Sequence, residues 1–159
     1  MLPPPERELM LQATTLALEA VRSGTGGPFG AVIVKGGRVV ASGTNCVTTT
    51  NDPTAHAEIV AIRAACTQLG DFRLAGCELY SSCEPCPMCL SAAFWARVDR
   101  IVYAGSRADA ARAGFDDAFF YEQLARPPDW RKVPMVPFMR ETAQAAFDVW
   151  LAKDDRTVY

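Results

Sequence analysis

The chain has 159 residues, the length of a single domain with one hydrophobic core. Hydrophobic residues make up 50% of it and charged residues 21%, as is typical of soluble globular proteins. The formal net charge of -2 supplies no basic field for phosphate groups, so a nucleic-acid partner is disfavoured. No stretch approaches the roughly 20 apolar residues that cross a bilayer. The first residues also lack the cationic start and apolar run of a secretory signal, so we expect a cytoplasmic protein with no membrane partner.

The first half of the chain predicts two helices and a hairpin. Gly36-Gly37 separates two runs rich in β-branched residues, which is a hairpin pattern. Asp52-Pro53 is typical of a helix cap followed by proline, and Gly70 is typical of a helix end. The predicted elements are a helix that ends near residue 23, strands over 29–35 and 38–43, and a helix from 53 to about 69.

Strands and helices alternate in the second half. The predicted elements are a strand over 77–81, a helix from 87 to about 97, a strand over 100–104, a short helix over 107–113, a strand over 133–138 and a helix over 142–153. Two prolines weaken the strand over 133–138. Alternation implies at least one parallel strand pair, so we expect an α/β fold with a mixed sheet of about five strands and helices on both faces.

Two short motifs carry ligands that suit a metal ion. The first is Thr-Ala-His-Ala-Glu over 54–58, which contains the protein's one histidine, His56, and the acidic Glu58. A lone histidine is more often structural than a ligand, but a second motif changes that balance. In Glu-Pro-Cys-Pro-Met-Cys over 84–89, the thiols of Cys86 and Cys89 lie on one side of a helical first turn.

One imidazole and two thiolates are good zinc ligands and leave a fourth position for water, as in catalytic zinc sites. Cys83 lies close by, so a third sulfur ligand or an iron–sulfur cluster is an alternative. Clustered cysteines without an export signal favour metal binding over disulfides. The other three cysteines are most simply small buried side chains, namely Cys46, Cys66 and Cys77.

The spacing of His56 and Glu58 raises a geometric question. Residues two apart on a helix point to nearly opposite sides. Both side chains can serve one site if it lies beyond the helix end, where side chains of the first turn converge. The cap-like Asp52-Pro53 predicts that His56 lies in that first turn.

His-Ala-Glu followed by Pro-Cys-Pro-Met-Cys resembles the zinc signature of the cytidine-deaminase-like superfamily of nucleobase deaminases. Further segments resemble the bacterial guanine deaminase family within it, and the resemblance covers essentially the whole chain. These segments are Gly-Gly-Pro-Phe-Gly-Ala over 26–31, Asn-Asp-Pro over 51–53, Trp-Ala-Arg over 95–97, Gly-Phe-Asp-Asp over 114–117 and the terminal Tyr159. The resemblance implies a three-layer α/β/α fold in one domain over 1–159.

The resemblance also implies a mechanism. His56, Cys86 and Cys89 would hold Zn²⁺, which lowers the pKa of a bound water. Glu58 would take the water's proton and pass it to the substrate, so that ammonia leaves. The implied substrate is a small purine base, guanine, and the product is xanthine.

The family pattern assigns substrate contacts to further residues. Phe29 would stack on the base, Asn45 would bond its edge and Asp117 would accept hydrogen bonds from the guanine N–H groups. The family also implies substrate-site positions for three others, namely Ala57, Trp95 and Tyr159. The segment over 114–117 is equally well explained as a turn with a helix cap.

The resemblance further implies a homodimer in which the C-terminal segment, here about 130–159, is exchanged between subunits. Tyr159 would then close the partner's site. Two alternatives remain open from the sequence: a deaminase of cytosine, a nucleoside or tRNA adenosine, and a zinc-stabilised module without catalysis. Glu58 argues against the second, because a structural zinc site needs no carboxylate two residues from its histidine.

Overall fold

A mixed sheet of four strands organises residues up to Asp117 in the computed structural model of the protein, which describes residues 4–158. The strands are β1 (Gly30–Lys35), β2 (Arg38–Thr44), β3 (Cys77–Cys83) and β4 (Arg100–Gly105), in the order β2-β1-β3-β4. β1 pairs antiparallel with β2 and β3, whereas β3 pairs parallel with β4. The predicted hairpin and the predicted parallel pair are therefore both confirmed.

Five helices accompany this sheet. They are α1 (Arg7–Ser23), α2 (Val47–Thr50), α3 (Ala57–Leu69), α4 (Pro87–Ala96) and α5 (Arg107–Arg112). α1 and α3 end at Gly24 and Gly70, which adopt the left-handed conformation that glycine accepts without strain. The short α2 was not expected from the sequence, because four residues carry too little periodicity to predict a helix.

The helices cover both faces of the sheet and form three layers. On one face, Leu9 and Ala13 of α1 pack against Val32, Val34 and Tyr80. On the other face, alanines of α3 and α4 pack against β1 and β3, and the members of this larger core include Ala31, Ile33, Ala61, Ala65, Leu79, Ala93 and Ala96. The predicted three-layer α/β/α architecture is confirmed.

The start of α3 differs from the prediction. His56, not Asp52, is the N-cap residue, and the helix begins at Ala57. The Asp52 carboxylate instead accepts hydrogen bonds from the backbone N–H and hydroxyl of Thr54, at 2.8 and 2.7 Å. An aspartate that bonds the backbone two residues on forms a local turn, and this turn resembles a helix cap in sequence alone.

The strand predicted over 133–138 is wrong. Residues 134–139 are neither helix nor strand, so the described part of the chain has four strands and not five. Pro134 and Pro137 lack the backbone N–H that a strand donates to its neighbour, which is a sufficient reason.

Residues from Ala118 onward form a second compact unit. It contains α6 (Ala118–Ala125), a turn of 3-10 helix (Pro128–Trp130) and α7 (Arg140–Leu151). None of its described residues is buried, and Val136 and Phe138 are 81% and 84% exposed. Its apolar side chains therefore lack a core of their own.

None of the described helices combines the length and apolar character that crossing a membrane requires.

Candidate metal centre and active site

The N-termini of α3 and α4 bring three metal-ligand side chains together. His56 is the N-cap of α3, and Cys86 is the N-cap of α4 with proline at the first helical position. Cys89 lies in the first turn of α4. A helix N-terminus presents free N–H groups and the positive end of the helix dipole, which favour the thiolate form of cysteine.

The distances in this group match those of a tetrahedral metal site. Nδ1 of His56 lies 3.6 Å from Sγ of Cys86 and 3.5 Å from Sγ of Cys89. Ligand atoms around one tetrahedral zinc ion, at normal Zn–S and Zn–N lengths, are about 3.6 Å apart. Among the described residues, these three side chains are the group of histidine, cysteine and acidic ligands close enough to share one ion.

The pKa values of Cys86 and Cys89 are shifted in opposite directions. A hydrogen bond from Cys89, supported by one from His56, lowers the pKa of Cys86 to about 4. The same bond with Cys86, together with burial, raises the pKa of Cys89. The hydrogen bond to Cys86 also raises the pKa of His56. One thiolate is thus already stabilised in the protein itself, which suits binding of a cation.

Glu58 is buried beside this group, with 6% of its surface exposed. It is the second residue of α3, whereas His56 has extended backbone before the helix. The chain turns between them, so the usual helical divergence of residues two apart does not apply. Burial raises the pKa of the Glu58 carboxyl, because the charged form loses its hydration. The Ser81 hydroxyl donates a hydrogen bond to Glu58 Oε1 at 3.3 Å.

Close packing fixes the start of α3 against the sheet. A methyl group added at Gly43 of β2 would overlap the backbone carbonyl oxygen of Ala57 and the amide nitrogen of Ala61. Only glycine lets the helix backbone approach the strand this closely. The Gly43 contact therefore sets the height of His56 and Glu58 above the sheet.

Phe29 and Asn45 are held next to each other before β1 and after β2. The Asn45 backbone N–H donates to the Phe29 carbonyl at 3.2 Å, and Asn45 Oδ1 accepts from the Val47 N–H at 3.3 Å. A side chain at Gly26 would overlap the Asn45 carbonyl, so the Gly-Gly segment lets this loop close. The sequence assigned both residues to one site, and the structure brings them together.

Phe115 contacts Phe29, although the sequence assigned Phe115 no role beyond its place in the Gly-Phe-Asp-Asp segment. The two rings meet edge to face, with centroids 4.9 Å apart and planes at 85°. Two residues further on, Asp117 is half-buried, and burial followed by the charge of Cys86 raises its pKa. The segment over 114–117 therefore lies near both Phe29 and Cys86, one of the candidate metal ligands.

Other residues named from the sequence occupy different environments. The methyl group of Ala57 is fully buried in the core, so only its backbone can face a substrate. Trp95 is 67% exposed and lines a surface depression of about 500 Å³ with Ser91, Phe94 and Arg97. Tyr159 lies outside the described residues. The Cys83 sulfur faces the Ser106 carbonyl at 3.5 Å instead of joining the ligand group.

Ser81 and Ser82 were missed by the sequence reasoning. Ser82 Oγ accepts a hydrogen bond from the Gly30 N–H at 3.0 Å, and Ser81 bonds Glu58. Strand alternation offered a signal for Ser81, since it shares a face with the buried Cys77 and Leu79.

The fold and this site define a class in which a His-Cys-Cys group and a buried glutamate lie at two helix N-termini above a mixed sheet. Residues 4–105 match the family model described as the cytidine and deoxycytidylate deaminase zinc-binding region. The chain belongs to this deaminase family, which confirms the resemblance seen in the motifs.

Relatives within the family match nearly the whole chain. A guanine deaminase of Bacillus subtilis is 52% identical over 139 residues, which cover 87% of this chain and 89% of the relative. The X-ray structure of guanine deaminase from Bacillus subtilis superposes with a TM-score of 0.94 at 47% identity, covering 98% of this chain and 99% of the other. A guanine deaminase structure from Nitrosomonas europaea has a TM-score of 0.68 and 31% identity, covering 82% and 71% of the two chains.

Proposed function

We propose that this protein is a zinc-dependent hydrolase that deaminates guanine to xanthine and ammonia. The observation that carries the proposal is the meeting of His56 Nδ1 with the Cys86 and Cys89 sulfurs at 3.5–3.6 Å, beside the buried Glu58 carboxylate. Likeness to a guanine deaminase along almost the full length of both chains supports the choice of substrate.

The three ligand side chains would hold zinc in the arrangement of a catalytic site. His56 would bind through Nδ1, and the two cysteines through their sulfurs. Three protein ligands leave an open coordination position, whereas structural zinc sites use four. Bound zinc would supply Lewis acidity that makes a coordinated water a nucleophile near neutral pH.

Glu58 would move the protons of the reaction. Its pKa is raised by burial, which brings proton uptake and release closer to neutral pH. It would take a proton from the attacking water and deliver it to the ring nitrogen beside the amino-bearing carbon. A second proton from the same water would reach the departing amine, so the C–N bond breaks and ammonia leaves.

The substrate pocket would be formed around Phe29 and Asn45. Phe29 would stack on the purine, Asn45 would bond its edge and the backbone of Ala57 would line the floor. Asp117 would accept hydrogen bonds from the ring N–H and amino group of guanine. Adenine and cytosine present a bare acceptor at the corresponding ring position, which a carboxylate repels. The family pattern adds Trp95 and Tyr159 to this pocket.

Glu58→Gln tests the catalytic assignment. The variant should keep one zinc per chain, measured by elemental analysis, and lose turnover by roughly 100-fold or more, the scale of general acid–base catalysis. Wild-type activity in this variant would rule out the proton transfer by Glu58.

The substrate is tested by ammonia release from guanine, adenine, cytosine and their nucleosides. Release from adenosine or cytosine without release from guanine would reject the substrate assignment.

We also propose a homodimer in which the C-terminal segment is exchanged between subunits and Tyr159 closes the partner's site. The exposed apolar side chains of residues from 118 onward support it, since a soluble unit without a core needs a covering surface. Large exposed members of this set are Trp130, Val133, Val136, Phe138, Phe147 and Val149.

A hybrid dimer tests the exchange. Glu58→Gln subunits and subunits lacking Tyr159 are each expected to be inactive or weakly active alone. Co-expressed, they form hybrids in which one site has both Glu58 and the partner's Tyr159, so activity should recover to a large fraction of one site per dimer. Absence of recovery in a purified hybrid dimer would exclude exchange of this residue.

We also propose that the protein is located in the cytoplasm. All six cysteines are unpaired in the structure, which is typical of proteins in a reducing compartment.

A further inference from the structure

Ser81 lies on the buried face of β3 directly below the N-terminus of α3. Alternate residues of β3 face this side, and the preceding two, Cys77 and Leu79, are fully buried in the core beneath α3 and α4. Ser81 continues that apolar row with a hydroxyl and is 2% exposed. A buried hydroxyl is costly unless it is hydrogen-bonded, so its partner matters.

The partner of the Ser81 hydroxyl is the Glu58 carboxylate, which accepts its hydrogen bond at 3.3 Å. Both side chains are buried. Charge-assisted hydrogen bonds of this kind are stronger than neutral ones.

The two partners differ in how firmly the fold holds them. Ser81 pairs with Ala31 of β1 on one side and with Tyr103 of β4 on the other, so its backbone is fixed in the middle of the sheet. Glu58 has a long side chain with several rotatable bonds and lies in the first turn of a helix. The bond therefore restricts Glu58 relative to a rigid strand.

We propose that Ser81 is a positioning residue that holds the Glu58 carboxylate in the orientation needed for proton transfer. This inference rests on the proposed function, in which Glu58 moves the protons. Ser81 does not touch the reacting atoms and acts through Glu58 alone.

Ser81→Ala removes the donor and leaves the fold intact, because alanine is smaller and apolar. We expect kcat to fall roughly 10- to 100-fold, the range for losing a hydrogen bond to a charged group. KM should change less than about threefold, because the bond supports the proton-transfer step and not the binding of the substrate. The metal content should remain that of the wild type.

Ser81→Thr and Ser81→Val form a matched pair, since their side chains have the same shape and only threonine has a hydroxyl. Threonine should restore kcat to within about fivefold of the wild type, and valine should not. A crystal structure of Ser81→Ala with metal bound should show the Glu58 carboxylate shifted or in more than one rotamer.

Equal kcat in the threonine and valine variants would overturn the inference, as would a single unshifted Glu58 rotamer in Ser81→Ala. Glu58→Gln, measured in parallel, distinguishes a failure of the proposed function from a failure of the role of Ser81. If Glu58→Gln has wild-type activity, the proton transfer by Glu58 in the proposed function fails. If Glu58→Gln is inactive while Ser81→Ala has wild-type kcat, only the role of Ser81 fails.

Discussion

The ring of Phe115 meets the ring of Phe29 edge to face, with centroids 4.9 Å apart. Phe29 is the residue assigned to stack on the base, and Phe115 belongs to the segment that carries Asp117. One aromatic contact thus links the proposed stacking residue to the segment of Asp117, to which the selection of the base is assigned in the proposed function.

Phe115→Ala should raise KM for guanine by roughly fivefold, because an edge-to-face pair of this kind contributes on the order of 1 kcal/mol. The change in kcat should be smaller. Phe115→Leu keeps an apolar side chain and should give an intermediate KM. Steady-state kinetics of the two variants check this, and unchanged KM in Phe115→Ala would show that the contact does not order Phe29.

Asp117→Asn should lower kcat/KM for guanine by about 100-fold or more, since an acceptor of two N–H groups is replaced partly by a donor. Asp116→Asn is the matched control in the same segment and should have a small effect. Measurement of kcat/KM for guanine in both variants checks this prediction. A larger loss in the Asp116 variant would reassign the recognition of the base.

The metal ligands can be tested by metal content. Cys86→Ser and His56→Ala should each reduce bound zinc well below one per chain and lower the melting temperature, because a ligand that binds only the folded state stabilises it. Cys66 lies outside the ligand group, so Cys66→Ser is the control and should retain metal. Elemental analysis and thermal unfolding check the prediction, which full zinc occupancy in Cys86→Ser would contradict.

Thiol reactivity should follow the pKa values. In metal-free protein the pKa of Cys86 is about 4, so it is a thiolate at pH 6. Burial raises the pKa of Cys66, which stays protonated there. Iodoacetamide at pH 6 should therefore label Cys86 first, and zinc should protect it. Labelling of Cys86 should slow only as the pH falls toward 4, and peptide mass spectrometry checks this order.

Gly43→Ala should destabilise the fold by about 1–3 kcal/mol, because the added methyl group overlaps the backbone of α3. It should also weaken zinc binding, since His56 lies at the start of that helix. Gly105→Ala is the control, because its methyl group would meet its nearest neighbour at 3.4 Å. Denaturant unfolding with zinc titration checks both effects. Equal stability of the two variants would contradict the packing argument.

Local signals predicted much of the fold. The hairpin at Gly36-Gly37 and the cap of α4 at Cys86-Pro87 depend on residues adjacent in the chain, and both were confirmed. The strand over 133–138 was wrong because apolar character outweighed the prolines in the prediction. The start of α3 was misplaced because an aspartate that caps a turn and one that caps a helix use the same side-chain bond.

The sequence by itself determined the chemistry, since the ligand types and their spacing within each motif define a metal-dependent deaminase family. Only the tertiary structure decided how His56 and Glu58 face one site, because that depends on where α3 begins and on its contact with Gly43. It alone paired Ser81 with Glu58 and Phe115 with Phe29. Such contacts join residues far apart in the chain, and they form only when packing fixes the distance between elements.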